Sequence, residues 1–178
     1  MMFDFLKARH IKNSHKILSW SLLGGAVYFF LISTAHLFGL KIPILFIYFN
    51  VPSYIYQDMI IAFLSFGFGM FLYAGYSSVK RDELITTKYI IIAGFGAVLG
   101  LMNINLFTDF SFFEVEFNLK ISVMNFWSET IFVLVYILWI LFLYVSALNY
   151  NKNKLVESNP KSPSEISNNE QKEFAKYR

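Results

Sequence analysis

The sequence predicts an all-helical membrane protein, a bundle of four transmembrane helices. Three observations support this fold class: 56% of the 178 residues are hydrophobic, only 15% are charged, and the mean hydropathy is +0.50. Soluble domains contain roughly 45–50% apolar and about 25% charged residues. The excess of apolar side chains therefore predicts that most of the chain lies in lipid.

The four predicted spans are apolar segments of the length that a bilayer requires, which is about 20 helical residues. They cover residues 17–40, 59–79, 89–107 and 126–148. Within them the acidic, basic and imidazole side chains are His36 and Glu129, each near a predicted end where a polar group can reach water. Residues 1–16 form a basic segment, and the polar tail 149–178, with Pro160 and Pro163, is expected to be disordered.

The distribution of lysine and arginine predicts the orientation. Thirteen of these fifteen residues lie in the first 16 residues, between spans two and three, or in the tail. The two outer loops, 41–58 and 108–125, carry only Lys41 and Lys120. Because cytoplasmic flanks carry the positive excess, both termini are expected in the cytoplasm. The sequence thus predicts a multi-pass protein, which we place in a bacterial inner membrane.

The outer loops predict a small extracytoplasmic β-like cap. From Phe113 to Val123 apolar and polar residues alternate, which is typical of a strand with one wet face. The segment from Ile42 to Val51 is a second strand candidate, or else a short interfacial helix that starts at Pro43. We expect the two segments to pair, since a lone strand leaves its edge unsatisfied.

Several function classes are excluded or disfavoured by composition. The chain has no cysteine, which excludes thiolate chemistry and cysteine-ligated metals. A haem held by two histidines from two spans is excluded within one protomer, because only His36 lies in or near a span. No charged residue lies at mid-depth, which argues against an ion-coupled pump. We expect no cofactor, no metal site and no nucleic-acid partner.

Glycines in three spans are candidates for close helix packing. The run from Gly94 to Gly100 superficially matches a dinucleotide fingerprint, but it has no preceding strand and lies inside an apolar span. Small residues spaced four apart instead let helix backbones approach closely in lipid. The predicted packing residues are Gly24, Gly25, Gly67, Gly69, Gly96 and Gly100. The alternative is that they give a substrate access to the backbone.

Polar residues at the outer ends of the spans predict a candidate ligand pocket. We expect His36, Asn103 and Glu129 to line one outward-facing pocket, with Asp58 at its rim and Tyr56 shielding it. The structural alternative is strong, because polar residues belong at helix ends and Asp58 is well placed to complement a helix dipole.

The function predicted from these features is that of a non-catalytic accessory or assembly component. It would bind a membrane protein partner, or a second copy, through its outer cap and helix faces. The first alternative is a protein that binds or transports a small solute entering from the outer face. The second is a membrane enzyme that uses His36 with a carboxylate, which requires that pair to lie within hydrogen-bonding distance.

Overall fold

The computed structural model describes residues 2–40, 54–109 and 123–158, and these ranges contain four α-helices and no strand. The helices are α1 (Met2–Leu37), α2 (Ile55–Lys80), α3 (Ile85–Phe107) and α4 (Val123–Ser158). Each contains a segment long and apolar enough to cross a membrane. The predicted number and order of the helices are therefore confirmed.

The helices run alternately up and down, and each packs against its neighbours in chain order, with α4 returning to α1. The α1–α2 interface is the most extensive and the α2–α3 interface the least. We call the end of the bundle where α1 finishes and α2 begins the His36 end. The opposite end, where α2 turns into α3, is the hairpin end.

The close approach of α1 and α2 follows from a seam of small residues on α2. Ala62, Ser65 and Gly69 recur at spacings of three or four and are all buried, and the larger Leu72 continues the same side of the helix. Such spacing keeps one side of a helix facing its neighbour, and small side chains bring the two backbones together in lipid. Facing them, α1 buries apolar residues at a spacing of four: Leu18, Leu22 and Ala26.

The core continues along α4, where Ile137, Ile140, Leu143 and Ala147 are buried against the other helices. Outside this core most large apolar side chains of the described segments point away from the bundle. Phe63 of α2 is 76% exposed and Phe107 of α3 is 83% exposed. A water-soluble monomer rarely exposes an apolar surface of this extent.

The hairpin between α2 and α3 is tight, as the short predicted connection requires. The backbone N–H groups of Asp82 and Glu83 donate to the carbonyl groups of Val79 and Ser78, which ends α2. Asp82 has a φ of 61°, a left-handed conformation that aspartate tolerates better than most residues. The hydroxyl of Ser78 also donates to the Glu83 carboxylate at 3.3 Å.

The helices extend beyond several predicted boundaries. Residues 55–58, assigned to the first outer loop, form the first turn of α2, and residues 123–125 of the second loop begin α4. At the other end α4 continues through residues 149–158, which were assigned to the disordered tail. Residues 149–158 contain no proline or glycine, so no helix-breaking residue interrupts α4 in this stretch.

The basic segment 1–16 likewise belongs almost entirely to α1. The predicted β-like cap lies outside the described residues, apart from Val123, which is the first residue of α4 and not the end of a strand.

Candidate functional site

Two histidine–aspartate contacts and one cavity stand out in the described part of the bundle. The tighter contact lies at the His36 end, where His36 Nδ1 is 2.9 Å from Oδ1 of Asp58. Both residues are only 8% exposed. A polar group that is buried without a hydrogen bond costs free energy. The contact between the carboxylate and the imidazole offsets this cost for both side chains.

Helix geometry favours this pair. Asp58 lies in the first turn of α2 and His36 in the last turn of α1. The free backbone N–H groups lie at a helix N-terminus and the free carbonyl groups at a C-terminus, so an acidic residue suits the start of α2 and a histidine suits the end of α1. The pair therefore joins the two helices at the end where the chain leaves α1 and enters α2.

A second buried polar contact links α3 to α4 near the same end. The side-chain amide of Asn105 donates to Oγ1 of Thr130 at 2.9 Å, and both residues are buried. Hydrogen bonds between helices are one of the forces that hold membrane bundles together. The two polar contacts thus connect α1 with α2 and α3 with α4.

The residues that were expected to share one pocket have different surroundings in the structure. Asn103 is exposed, and its amide donates to the carbonyl of Leu99 on its own helix at 2.9 Å. Tyr56 is 75% exposed and so does not shield a buried cluster. Glu129 is partly buried on α4 and interacts electrostatically with Tyr28, which lies about two turns below His36 on α1. Asp58, expected at the rim, is instead the hydrogen-bond partner of His36.

The six predicted packing glycines fall into two groups. A Cβ atom on Gly25 would collide with the Tyr136 side chain, and one on Gly69 would lie 2.6 Å from the Phe30 ring. Each of these glycines thus makes room for an aromatic side chain of another helix. The other four have no atom within 4 Å of a Cβ position: Gly24, Gly67, Gly96 and Gly100.

Two glycines outside the predicted set also make room for side chains of neighbouring helices. Ile90 occupies the space beside Gly75, and Ile137 occupies the space beside Gly94. Both glycines are buried on α2 and α3. Gly75 and Gly94 fall on the same side of their helices as the buried residues, a side that the sequence does not mark because the spans are apolar nearly all round.

A cavity of about 380 Å³ lies near the middle of the bundle and is lined by all four helices. Aromatic rings form much of its wall, including those of Tyr28, Phe68, Phe132 and Trp139. Its size falls within the roughly 300–1,000 Å³ of small-molecule sites. Because the wall is almost entirely apolar, it fits an apolar ligand.

The polar atoms of the cavity wall are engaged with the protein. The Tyr136 hydroxyl donates to the backbone carbonyl of Ser21 at 3.1 Å, and the Trp139 indole N–H donates to the Ser21 hydroxyl at 3.1 Å. These bonds fix α4 against α1 beside the cavity. They also use donors that a polar ligand would otherwise bind.

The hairpin end carries the second histidine contact. His15 Nδ1 lies 3.7 Å from the Asp82 carboxylate, and the ring of His15 packs edge-on against Tyr150 of α4 at 5.8 Å between centroids. His15 lies in the basic segment 1–16, yet its side chain is only 13% exposed. The position of His15 in the sequence indicates this burial, because it lies one helical turn before the buried residues Leu18 and Ser19.

Comparisons with protein-family models, with curated proteins and with solved structures found no match. In the described residues no group of three or more His, Asp and Glu side chains is placed to hold a metal ion.

Proposed function

We infer that the chain is a non-catalytic membrane component that binds a transmembrane helix of a partner protein. The observation that carries this proposal is the outer side of α3, where Gly96 and Gly100 are exposed, four residues apart, with open space beside both. A small-xxx-small pair is the spacing at which helices in lipid approach most closely. Inside the described bundle no other helix uses this pair.

Membrane placement is part of this proposal. Four helices have the length and hydropathy of membrane spans, and large apolar side chains cover their outer sides. The lysine and arginine residues within the described ranges lie toward the hairpin end of their helices. By the positive-inside tendency that end faces the cytoplasm, and the His36 end faces the extracytoplasmic side.

The exposed amide of Asn103 strengthens the case for α3. Gly96, Gly100 and Asn103 recur at spacings of four and three, which places them on one side of the helix. Side-chain amides hydrogen-bond across helices in membranes. A partner helix with a small residue and a polar group at matching depths would therefore fit this side of α3.

The proposal is tested by affinity purification from native membranes in mild detergent. We expect one membrane protein to co-purify with the wild type and to be lost from the Gly96→Leu, Gly100→Leu double variant. Gly67→Leu is the matched control, because Gly67 is also an open, exposed glycine but lies on α2. Loss of the partner in the control as well would contradict a specific role for α3.

Self-association is distinguished by a single cysteine, since the chain has none of its own. A Gly100→Cys variant that forms a disulfide-linked dimer in membranes would identify a second copy as the partner. That result would support binding through α3 and contradict an accessory role with a different protein.

The His36–Asp58 pair favours a second candidate, a membrane enzyme in which Asp58 orients His36 as a general base. The contact of 2.9 Å meets the distance that this chemistry requires. Burial of both side chains supports a structural role more strongly, because a base has to reach its substrate. Modification of His36 by diethyl pyrocarbonate in the folded protein would favour the enzyme, and protection would favour the structural role.

A further inference from the structure

We propose that the cavity in the middle of the bundle binds one acyl chain of a membrane lipid, which enters sideways between α1 and α4. The cavity is distinct from the α3 surface of the proposed partner site. The proposal rests on the membrane placement proposed above. It concerns a ligand that neither the sequence pattern nor the partner hypothesis identifies.

The cavity has an opening on the side of the bundle. Phe132 and Trp139 of α4 both line the cavity, yet they are 59% and 46% exposed. Gly24 of α1 also lines it and is exposed, with no atom within 4 Å of where its Cβ would lie. The wall of the cavity therefore reaches the outer surface next to a residue that has no side chain.

The opening lies at the depth of the membrane interior. Gly24 lies near the middle of the α1 span 13–37, and Phe132 and Trp139 lie within the α4 span 127–152. An opening at this depth faces hydrocarbon and not water. The molecules that reach it from the bilayer are lipid chains, which are present at high concentration and already desolvated.

The wall of the cavity is chemically complementary to an acyl chain. The wall consists of aromatic and aliphatic side chains, and the Ser21, Tyr136 and Trp139 polar groups are already bonded to one another or to backbone. A cavity of about 380 Å³ is more than twice the engineered apolar cavity of about 150 Å³ that binds benzene. It is thus large enough for several methylene groups of a flexible chain, and it offers dispersion contacts on several sides.

The protein itself does not close the cavity. Tyr28 and Phe132 stand beside the opening with ring centroids 6.2 Å apart, in a tilted arrangement. Any larger residue in place of Gly24 would project into the open space between these helices. Gly24 thus keeps the entrance open, whereas its neighbour Gly25 is used to seat Tyr136.

The test is native mass spectrometry of the full chain released from lipid nanodiscs of phosphatidylcholine. We expect the wild type to retain one lipid per chain, and Gly24→Leu to reduce the retained lipid by about tenfold or more, because one tenfold step needs only about 1.4 kcal/mol of lost contacts. Gly67→Leu, at another open glycine outside the cavity, should retain lipid like the wild type.

A second variant separates blocking from misfolding. Gly24→Cys introduces the only thiol, and after folding it can be alkylated with N-butylmaleimide, which fills the entrance. Retained lipid should fall on alkylation at position 24 and stay unchanged on alkylation of Gly67→Cys. Equal lipid retention before and after alkylation at position 24 would overturn the proposal.

Trp139 provides a readout inside the bilayer. With Trp20→Phe and Trp127→Phe, Trp139 is the remaining indole, and chain-brominated lipid should quench it less when Gly24 is leucine. Equal quenching with glycine and leucine at position 24 would overturn the proposal, as would a folded, inserted wild type that retains detergent alone. A chain that fails to insert at all would instead contradict the membrane placement.

Discussion

His36 Nδ1 lies 2.9 Å from Oδ1 of Asp58 and joins the last turn of α1 to the first turn of α2. The two residues are 22 positions apart in the chain, so the contact joins the two ends of the segment that connects these helices. Because α1 and α2 also share the most extensive interface, the pair holds one end of a helical hairpin whose middle is held by small-residue packing.

Removing one member of this pair should destabilise the bundle. We expect His36→Ala or Asp58→Ala to lower the free energy of unfolding by about 3 kcal/mol, because each removes a hydrogen bond between two buried side chains. Equilibrium unfolding in mixed detergent micelles measures the change. The double variant His36→Leu, Asp58→Leu should lose much less than the sum of the two single variants. Additive losses would show that the residues do not act as a pair.

Alanine at the neighbouring glycines of α1 should have opposite effects. At Gly25 a Cβ would displace the Tyr136 hydroxyl from its bond to Ser21, and we expect a loss of about 1–3 kcal/mol. At Gly24 the Cβ meets no atom within 4 Å, so alanine should stabilise by up to about 1 kcal/mol through helix propensity. Unfolding midpoints in detergent measure both. Tyr136→Phe should partly rescue Gly25→Ala, and equal effects at the two positions would contradict the packing described.

Alanine substitutions at the two asparagines near the end of α3 should also differ in their effect on stability. Asn105→Ala removes the buried bond to Thr130, and membrane hydrogen bonds between helices contribute about 1 kcal/mol. Asn103→Ala removes only an exposed bond to its own helix and should change stability much less. A double-mutant cycle of Asn105→Ala with Thr130→Val gives the coupling energy. A coupling indistinguishable from zero would argue against this contact in the membrane.

The absence of native cysteine makes the orientation directly measurable. Tyr54→Cys and Glu83→Cys each place a single thiol at an exposed position, the first at the His36 end and the second in the α2–α3 turn. In intact cells a membrane-impermeant maleimide should label Cys at position 54, and label position 83 only after permeabilisation. The reverse pattern would invert the proposed topology.

The sequence by itself determined the four helices and their order. Hydropathy acts locally: a run of about 20 apolar residues specifies a helix in lipid whatever the rest of the chain does, because every backbone group has to bond internally. The short connection between Lys80 and Ile85 likewise made α2 and α3 antiparallel neighbours. The helix ends were less well determined, because residues 55–58 and 149–158 are polar enough for loops and still helical.

The tertiary structure decided which side of each helix faces its neighbours. The spans are apolar nearly all round, so the sequence does not mark an inner side, and in lipid no hydrophobic force selects one. For this reason His36 could be paired equally well with Glu129 or Asp58 from the sequence, and Asn103 could not be told from Asn105. Only the rotation and close packing of the helices bring His36 to Asp58, place Gly25 under Tyr136, and leave Gly24 open beside the cavity.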